Sequence, residues 1–371
     1  MSAAITENTN ITSNSTAPSN LFNQREGEGD CSEKSQDKPD FQASMLQGVS
    51  RTFALTIPRL PLALREVVSN AYLLCRTVDT IEDEPEIPTQ VKKELCDLFL
   101  EVLNEKRSAQ DLSKVLLPLL SESSIPAEHQ LIESLDQVVA ITRELDPVQR
   151  KSLIRCVKIM SEGMIYYQEH ASADGLRDQP EMDKYCYHVA GVVGEMLTEL
   201  FCHYSTGIAK NKQALFNLSV SFGQGLQMTN ILKDIWDDHQ RGACWLPRDL
   251  FLAKGLELHQ MKSHVNNQDF QTCINELVGL AHGHLENALN YTLLIPVQEK
   301  GIREFCLWAI GMAMLTLRKI HATPGYSNGQ QVKISRNSVK ATVMITGLTY
   351  RSNTLLRILF KQLGARLPKT N

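Results

Sequence analysis

From residue 62 onward, apolar residues recur at steps of three and four. Leu64, Val67, Val68, Ala71, Leu74, Cys75 and Val78 fall on one face and predict a helix over residues 62–81. Val91, Leu95, Leu98, Phe99 and Val102 repeat the pattern over 91–103. The same period predicts helices over 131–145, 148–169, 183–200, 213–238, 268–294, 302–320 and 337–363. Breakers separate them: Pro85 and Pro88, Pro118, Pro126, Pro147, Gly175 with Pro180, Pro247, Pro296, and Pro324-Gly325. Strict alternation of strand length is nearly absent, and no repeat of solenoid period is found. The expected fold is all-α, a single helical domain over about residues 43–365.

Residues 1–42 differ. They are rich in Ser, Asn, Glu, Asp, Gly and Lys, with few large apolar residues to offset the entropy of ordering, so a disordered tail is expected. The first twenty residues lack an apolar core and do not form a signal peptide. Residues 305–317 are apolar but too few to span a bilayer, and read as a buried helix. Residues 213–232 carry no charge but are studded with Gln, Asn and Ser, which suits a helix whose polar side faces a site. The basic, amphipathic C-terminus reads as a last core helix that grazes a membrane surface at most.

Composition narrows the function. The 371 residues include 38 Lys and Arg against 42 Asp and Glu, a net charge of −4, and 43% are hydrophobic. That excludes a membrane bundle and argues against a nucleic-acid partner. Nine dispersed cysteines form no CxxC pair, which points away from zinc and toward a reducing, cytoplasmic setting.

Two acidic clusters carry the candidate chemistry. Asp79-Thr80-Ile81-Glu82-Asp83-Glu84 ends the helix over 62–81, and Asp234-Ile235-Trp236-Asp237-Asp238 ends the helix over 213–238. Asp79 and Asp83, like Asp234 and Asp238, stand four apart and share a helical face. Like charges at that spacing weaken a helix by about 0.2–0.5 kcal/mol, and carboxylates at a helix C-terminus oppose its dipole. A divalent cation reverses this electrostatics. Mg²⁺ takes oxygen ligands, one or two carboxylates at a time, and completes its shell with water or phosphate oxygens. Two facing Asp pairs therefore suit a Mg²⁺-bound diphosphate leaving group. Asn230 and Gln227 precede Asp234 by four and seven residues, on its face. Arg76, three residues before Asp79, and Arg51 offer forked hydrogen bonds to a diphosphate.

At these residues the chain resembles the squalene/phytoene synthase family of head-to-head prenyl transferases, most closely its squalene-forming branch. Five segments carry the likeness, in the family's order over residues 50–349: SRTFAL from Ser50, YLLCRTVDTIEDE from Tyr72, YCYHVAGVVG from Tyr185, GLQMTNILKDIWDD from Gly225 and GQQVKISRNSVKATV from Gly329. The resemblance implies an isoprenoid synthase bundle around a central cavity. It implies that two farnesyl diphosphates condense to presqualene diphosphate, which NADPH then reduces to squalene. By the same likeness Asp79, Glu82, Asp83, Asn230, Asp234 and Asp238 are metal ligands. Ser50, Arg51, Phe53, Gln227 and Asn230 bind substrate, and Tyr185, Arg76 and Tyr72 are catalytic, with Tyr185 at proton removal and cation stabilisation.

For the reductive half, Lys333 and Arg336 match the loop implicated in NADPH binding, with Ser335 at the second basic position. Lys233 stands where the branch commonly has Arg, and Arg241 supplies a charge after Asp238. No GxGxxG fingerprint is present. The alternatives are a related synthase that stops at presqualene diphosphate, hydroxysqualene, dehydrosqualene or phytoene, and a non-catalytic scaffold, which both intact aspartate clusters disfavour. Eukaryotic members typically end in a membrane anchor and this sequence shows none. The expectation is therefore a cytoplasmic monomer, peripheral to the membrane.

Overall fold

The computed structural model describes residues 38–369, apart from the side chains at positions 38–40 and of Arg51. Helices α1 (Lys38–Val49) and α2 (Arg51–Thr56) lead into the long α3 (Leu62–Asp83) and α4 (Thr89–Leu103). Next come α5 (Ala109–Leu116), α6 (Pro126–Glu133), α7 (Leu135–Glu144) and α8 (Pro147–Glu169). α9 (Gln179–Cys186) passes through a π-helical turn, Tyr187–Gly191, into α10 (Val192–Tyr204). The short α11 (Thr206–Ala209) precedes α12 (Lys212–Gln240). α13 (Arg248–Leu252) and α14 (Met261–His264) lead to α15 (Gln268–Leu294) and α16 (Lys300–Ala322). α17 (Gly329–Val332), α18 (Arg336–Thr349) and α19 (Asn353–Gly364) follow. No strand forms among the described residues; Leu176 and Pro247 make one isolated bridge. The fold is all-α, as expected.

Local signals start the helices. Asp146 accepts the Val148 N–H at 2.8 Å, and Pro147 takes the first helical position of α8, where its missing N–H costs nothing. Two apolar clusters form the core. One is built largely by α3, α4, α8 and α10, the other by α12, α15 and α16. Tyr185 and Phe222 pack against both, so they mark the seam. α10 and α12 meet almost backbone to backbone. A Cβ on Gly194 would lie 2.2 Å from the Ser219 carbonyl oxygen, and one on Gly223 would lie 2.3 Å from that of Ala190. These glycines hold α12 close to the π-turn.

Four expectations need correction. α1 begins at Lys38, ahead of the tail boundary placed at residue 42 by composition, and Gln42 is buried. The helix expected over 131–145 breaks at Ser134, which ends α6 and starts α7. The helix over 183–200 contains the π-turn. The helix over 337–363 breaks at Tyr350–Ser352. The last break has a clear cause: the fully buried Arg303 of α16 donates to the Tyr350 carbonyl at 2.8 Å and to Asn353 Oδ1 at 2.7 Å. It also donates to the Thr292 and Ile295 carbonyls at the end of α15, at 3.3 and 2.6 Å. One guanidinium thus satisfies chain ends from three helices.

Residues 305–317 lie within the buried α16 as expected. Among the described residues no helix is long and apolar enough to cross a membrane. The eight described cysteines are free, and seven are buried; Cys31 lies outside the described residues.

Candidate active site

A cavity of about 590 Å³ opens between the ends of α3 and α12. α3 contributes Asp79, Glu82 and Asp83 to its wall. α12 contributes Gln227, Asn230, Asp234 and Asp238, spaced so that one polar stripe of an otherwise buried helix faces the space. Tyr185 and Arg241 complete the residues expected there, and Tyr167, Trp245, Met164 and Val189 add apolar surface.

The wall is electrostatically uncomfortable as it stands. Asp79 is 2% exposed, 3.8 Å from Arg76, and burial raises its carboxyl above the usual range. Burial, then the charges of Asp83 and Asp79, push Glu82 up to about 7. Burial pushes Asp238 up to about 6 against the opposing pull of Arg241, whose guanidinium lies 2.5 Å away. Burial also raises Asp234, despite Lys233 at 3.1 Å. Gln227 Oε1 is buried without a hydrogen-bond partner. Glu84, by contrast, is structural: burial would raise it, but hydrogen bonds from Ser121 and Ser124 outweigh that and lower it.

The donor set is all oxygen, from carboxylates and amides, which suits Mg²⁺ rather than zinc. Among the described residues no three His, Cys, Asp or Glu converge as a ready metal cluster.

Tyr185 stacks on Trp245, with ring centroids 4.4 Å apart and planes 9° from parallel, and Tyr167 meets it edge-on at 5.0 Å. Burial raises Tyr185 well above the ordinary tyrosine range, so its hydroxyl keeps its proton at neutral pH.

Other expected residues sit behind the wall. Arg76 is 3% exposed, ion-paired to Glu128 and turned toward Asp79. Tyr72 donates to the Val49 carbonyl at 3.3 Å, and its ring lies 4.9 Å from Phe53. Ser50 accepts the Phe53 N–H at 3.1 Å and caps α2. The Arg51 side chain lies outside the described residues. Lys233 bonds Asn230 and Asp234 rather than facing the cavity. The Lys333 loop is adjacent: a Cβ on Gly329 of α17 would lie 3.5 Å from Asp234 Oδ1. Lys333 is half-buried with Nζ 3.4 Å from Gln330 Oε1, Arg336 is exposed at the start of α18, and neither lines the cavity.

Sequence reasoning missed several partners. Gln168 donates to the Glu82 carboxylate at 2.8 Å and to its carbonyl at 2.6 Å, and Lys92 donates to the same carbonyl at 2.5 Å. Glu128 and Trp245 were also missed. Only Trp245 had a visible signal, as the aromatic of the RGACWLP segment.

Comparison with known proteins agrees with this geometry. Residues 46–338 match the family model described as squalene/phytoene synthase. A squalene synthase of Candida albicans is 30% identical over 300 residues, covering 79% of this chain and 64% of that protein. A squalene synthase of Solanum lycopersicum is 31% identical over 278 residues, covering 74% and 62%. The chain thus spans less than two thirds of the length of these relatives. A solved structure of TcSQS in complex with the ligand BPH1237 has a TM-score of 0.72 at 22% identity, over 91% of this chain and 94% of that one. A dehydrosqualene synthase crystal structure has a TM-score of 0.57 at 16% identity, covering 88% and 98%. These two share the fold. With the matched model covering most of its length and both acidic motifs facing one cavity, the chain belongs to the squalene/phytoene synthase family.

Proposed function

We propose that this chain is a Mg²⁺-dependent farnesyl-diphosphate farnesyltransferase, condensing two farnesyl diphosphates to presqualene diphosphate and reducing it to squalene with NADPH. The observation that carries the reading is that the two acidic motifs, on α3 and α12, line one cavity together with the Tyr185–Trp245 stack and apolar side chains.

Bound Mg²⁺ would neutralise diphosphate oxygens and make the group a better leaving group. Asp79, Glu82, Asp83, Asn230, Asp234 and Asp238 are the oxygen donors for it. The carbon–oxygen bond of the first substrate breaks and its electron pair leaves with diphosphate. The π-pair of the second substrate attacks the allylic cation, and loss of one proton closes the cyclopropane. The Tyr185–Trp245 stack presents π-faces beside the cavity and stabilises the positive charge. Tyr185, holding its own proton, relays a proton rather than acting as a phenolate base. The released diphosphate is the alternative acceptor. Lys333 and Arg336, with Lys233 and Arg241, are the cationic groups for NADPH. The enzyme is read as a cytoplasmic monomer.

A second reading is favoured by one observation. Lys333 and Arg336 do not line the cavity, which suits a synthase that stops before reduction. A product assay separates the two. The protein is incubated with farnesyl diphosphate and Mg²⁺, with and without NADPH, and extracted lipids are identified by mass spectrometry. Squalene only with NADPH supports the full reaction. Presqualene diphosphate, an alcohol or dehydrosqualene regardless of NADPH supports the second reading. Unconsumed farnesyl diphosphate overturns both.

A further inference from the structure

After Glu304 the chain carries ten Lys and Arg and no Asp or Glu. The first 304 residues hold the other 28 Lys and Arg together with all 42 Asp and Glu. The small net charge therefore conceals an acidic body joined to a wholly basic C-terminal segment.

That segment also concentrates exposed apolar surface. α18 buries Thr342 and Thr346 and turns the opposite side outward. Lys340, Met344 and Leu348, four residues apart, form one outward stripe, with Ile345 beside it. Leu348 is 79% exposed, more than any other large apolar residue among the described residues, and Met344 is 63% exposed. α19 continues the pattern, with Leu355 and Ile358 exposed while Leu356 and Phe360 are buried. Five of the fourteen exposed large apolar residues thus fall between positions 344 and 358, so their spread over the surface is uneven. Arg351, Arg357 and Lys361 lie among them, all exposed.

Protruding apolar side chains on a segment whose charged residues are all cations match one environment well. The headgroups of an anionic bilayer take the Lys and Arg, and the acyl boundary takes the Leu, Ile and Met. A second copy packed symmetrically on this face would set one basic face against another, which is electrostatically unfavourable. We propose that the outward face of α18 and α19 docks on anionic lipid bilayers. The inference rests on charge and exposure, and holds whichever product the enzyme makes.

The test is vesicle flotation with the full chain. Vesicles of phosphatidylcholine alone are compared with vesicles of phosphatidylcholine mixed with phosphatidylglycerol. Binding to the mixed vesicles is expected, weakened at least about tenfold by high salt. M344S/L348S and K340E/K361E change only exposed side chains, and each double variant is expected to lower binding about tenfold with unchanged circular dichroism and melting temperature. Equal binding to neutral vesicles, no binding to either, or unaltered binding by both variants overturns the proposal. So does a dimer, by light scattering, that M344S/L348S dissociates.

Discussion

Trp245 lies face to face with Tyr185 across the seam of the two apolar clusters, its plane 9° from parallel and its centroid 4.4 Å away. Neither ring is free to rotate without losing the other. Trp245→Ala removes an aromatic contact worth about 0.5–1.5 kcal/mol and one π-face of the cavity wall. Turnover is expected to fall at least about tenfold, with a smaller change in KM. Tyr185→Phe keeps the stack and loses the hydroxyl. It is expected to slow presqualene diphosphate formation more than substrate binding, in single-turnover assays. Wild-type turnover in both variants would remove the aromatic pair from the chemistry.

Asp79→Asn and Asp234→Asn each delete a carboxylate from one helix of the cavity. Diphosphate release is expected to fall at least about 100-fold in each. Both carboxyls sit above their ordinary range because of burial, so the metal-free variants are expected to melt no lower than wild type. Pyrophosphate release and calorimetry measure the two effects separately.

Glu82 and Asp238 set a pH dependence. Their carboxyls titrate near 7 and 6 in the folded protein, and near 4 when unfolded. Between those values the folded state holds more protons. Stability of the metal-free protein therefore falls as pH rises through roughly 4 to 7. Protons also compete with a cation for the same oxygens. Added Mg²⁺ is expected to raise the melting temperature more above this window than within it. An equal rise at both would show that these carboxylates do not hold the metal.

Arg76 and Glu128 form a buried pair behind Asp79. Glu128→Ala leaves the buried guanidinium with only the longer, 3.8 Å approach of Asp79, at a cost of up to about 3–5 kcal/mol. Denaturant midpoints read this directly. A change below about 1 kcal/mol would mean that the pair is relaxed by water.

Lys333→Ala is expected to shift products from squalene toward unreduced species at limiting NADPH, leaving farnesyl diphosphate consumption intact. Unchanged NADPH dependence would place the cofactor elsewhere.

The long helices were legible because burial enforces their period. α3, α8, α12 and α15 follow the expected spans closely, since each hides a full apolar stripe. The breaks at Ser134 and Tyr350–Ser352 were not legible, because the apolar period runs on across them. What ends α18 is Arg303, almost fifty residues away in sequence. In the cavity, the paired aspartates were visible from their spacing, whereas Gln168 and Glu128 belong to no motif. They act on Glu82 and Arg76 only through tertiary contact. The expected diphosphate role of Arg76 arose from its position beside Asp79, and its burial against Glu128 is information that only packing holds.

Arg303 has a consequence for the timing of local opening. The end of α15, the end of α18 and the start of α19 all draw hydrogen bonds from that one side chain. Each can fray only by giving up its own bond to that guanidinium, and displacing the guanidinium deprives all three at once. Hydrogen exchange at these three helix ends is therefore expected to be coupled, the segment that carries the basic, apolar-studded face loosening together with the end of α15.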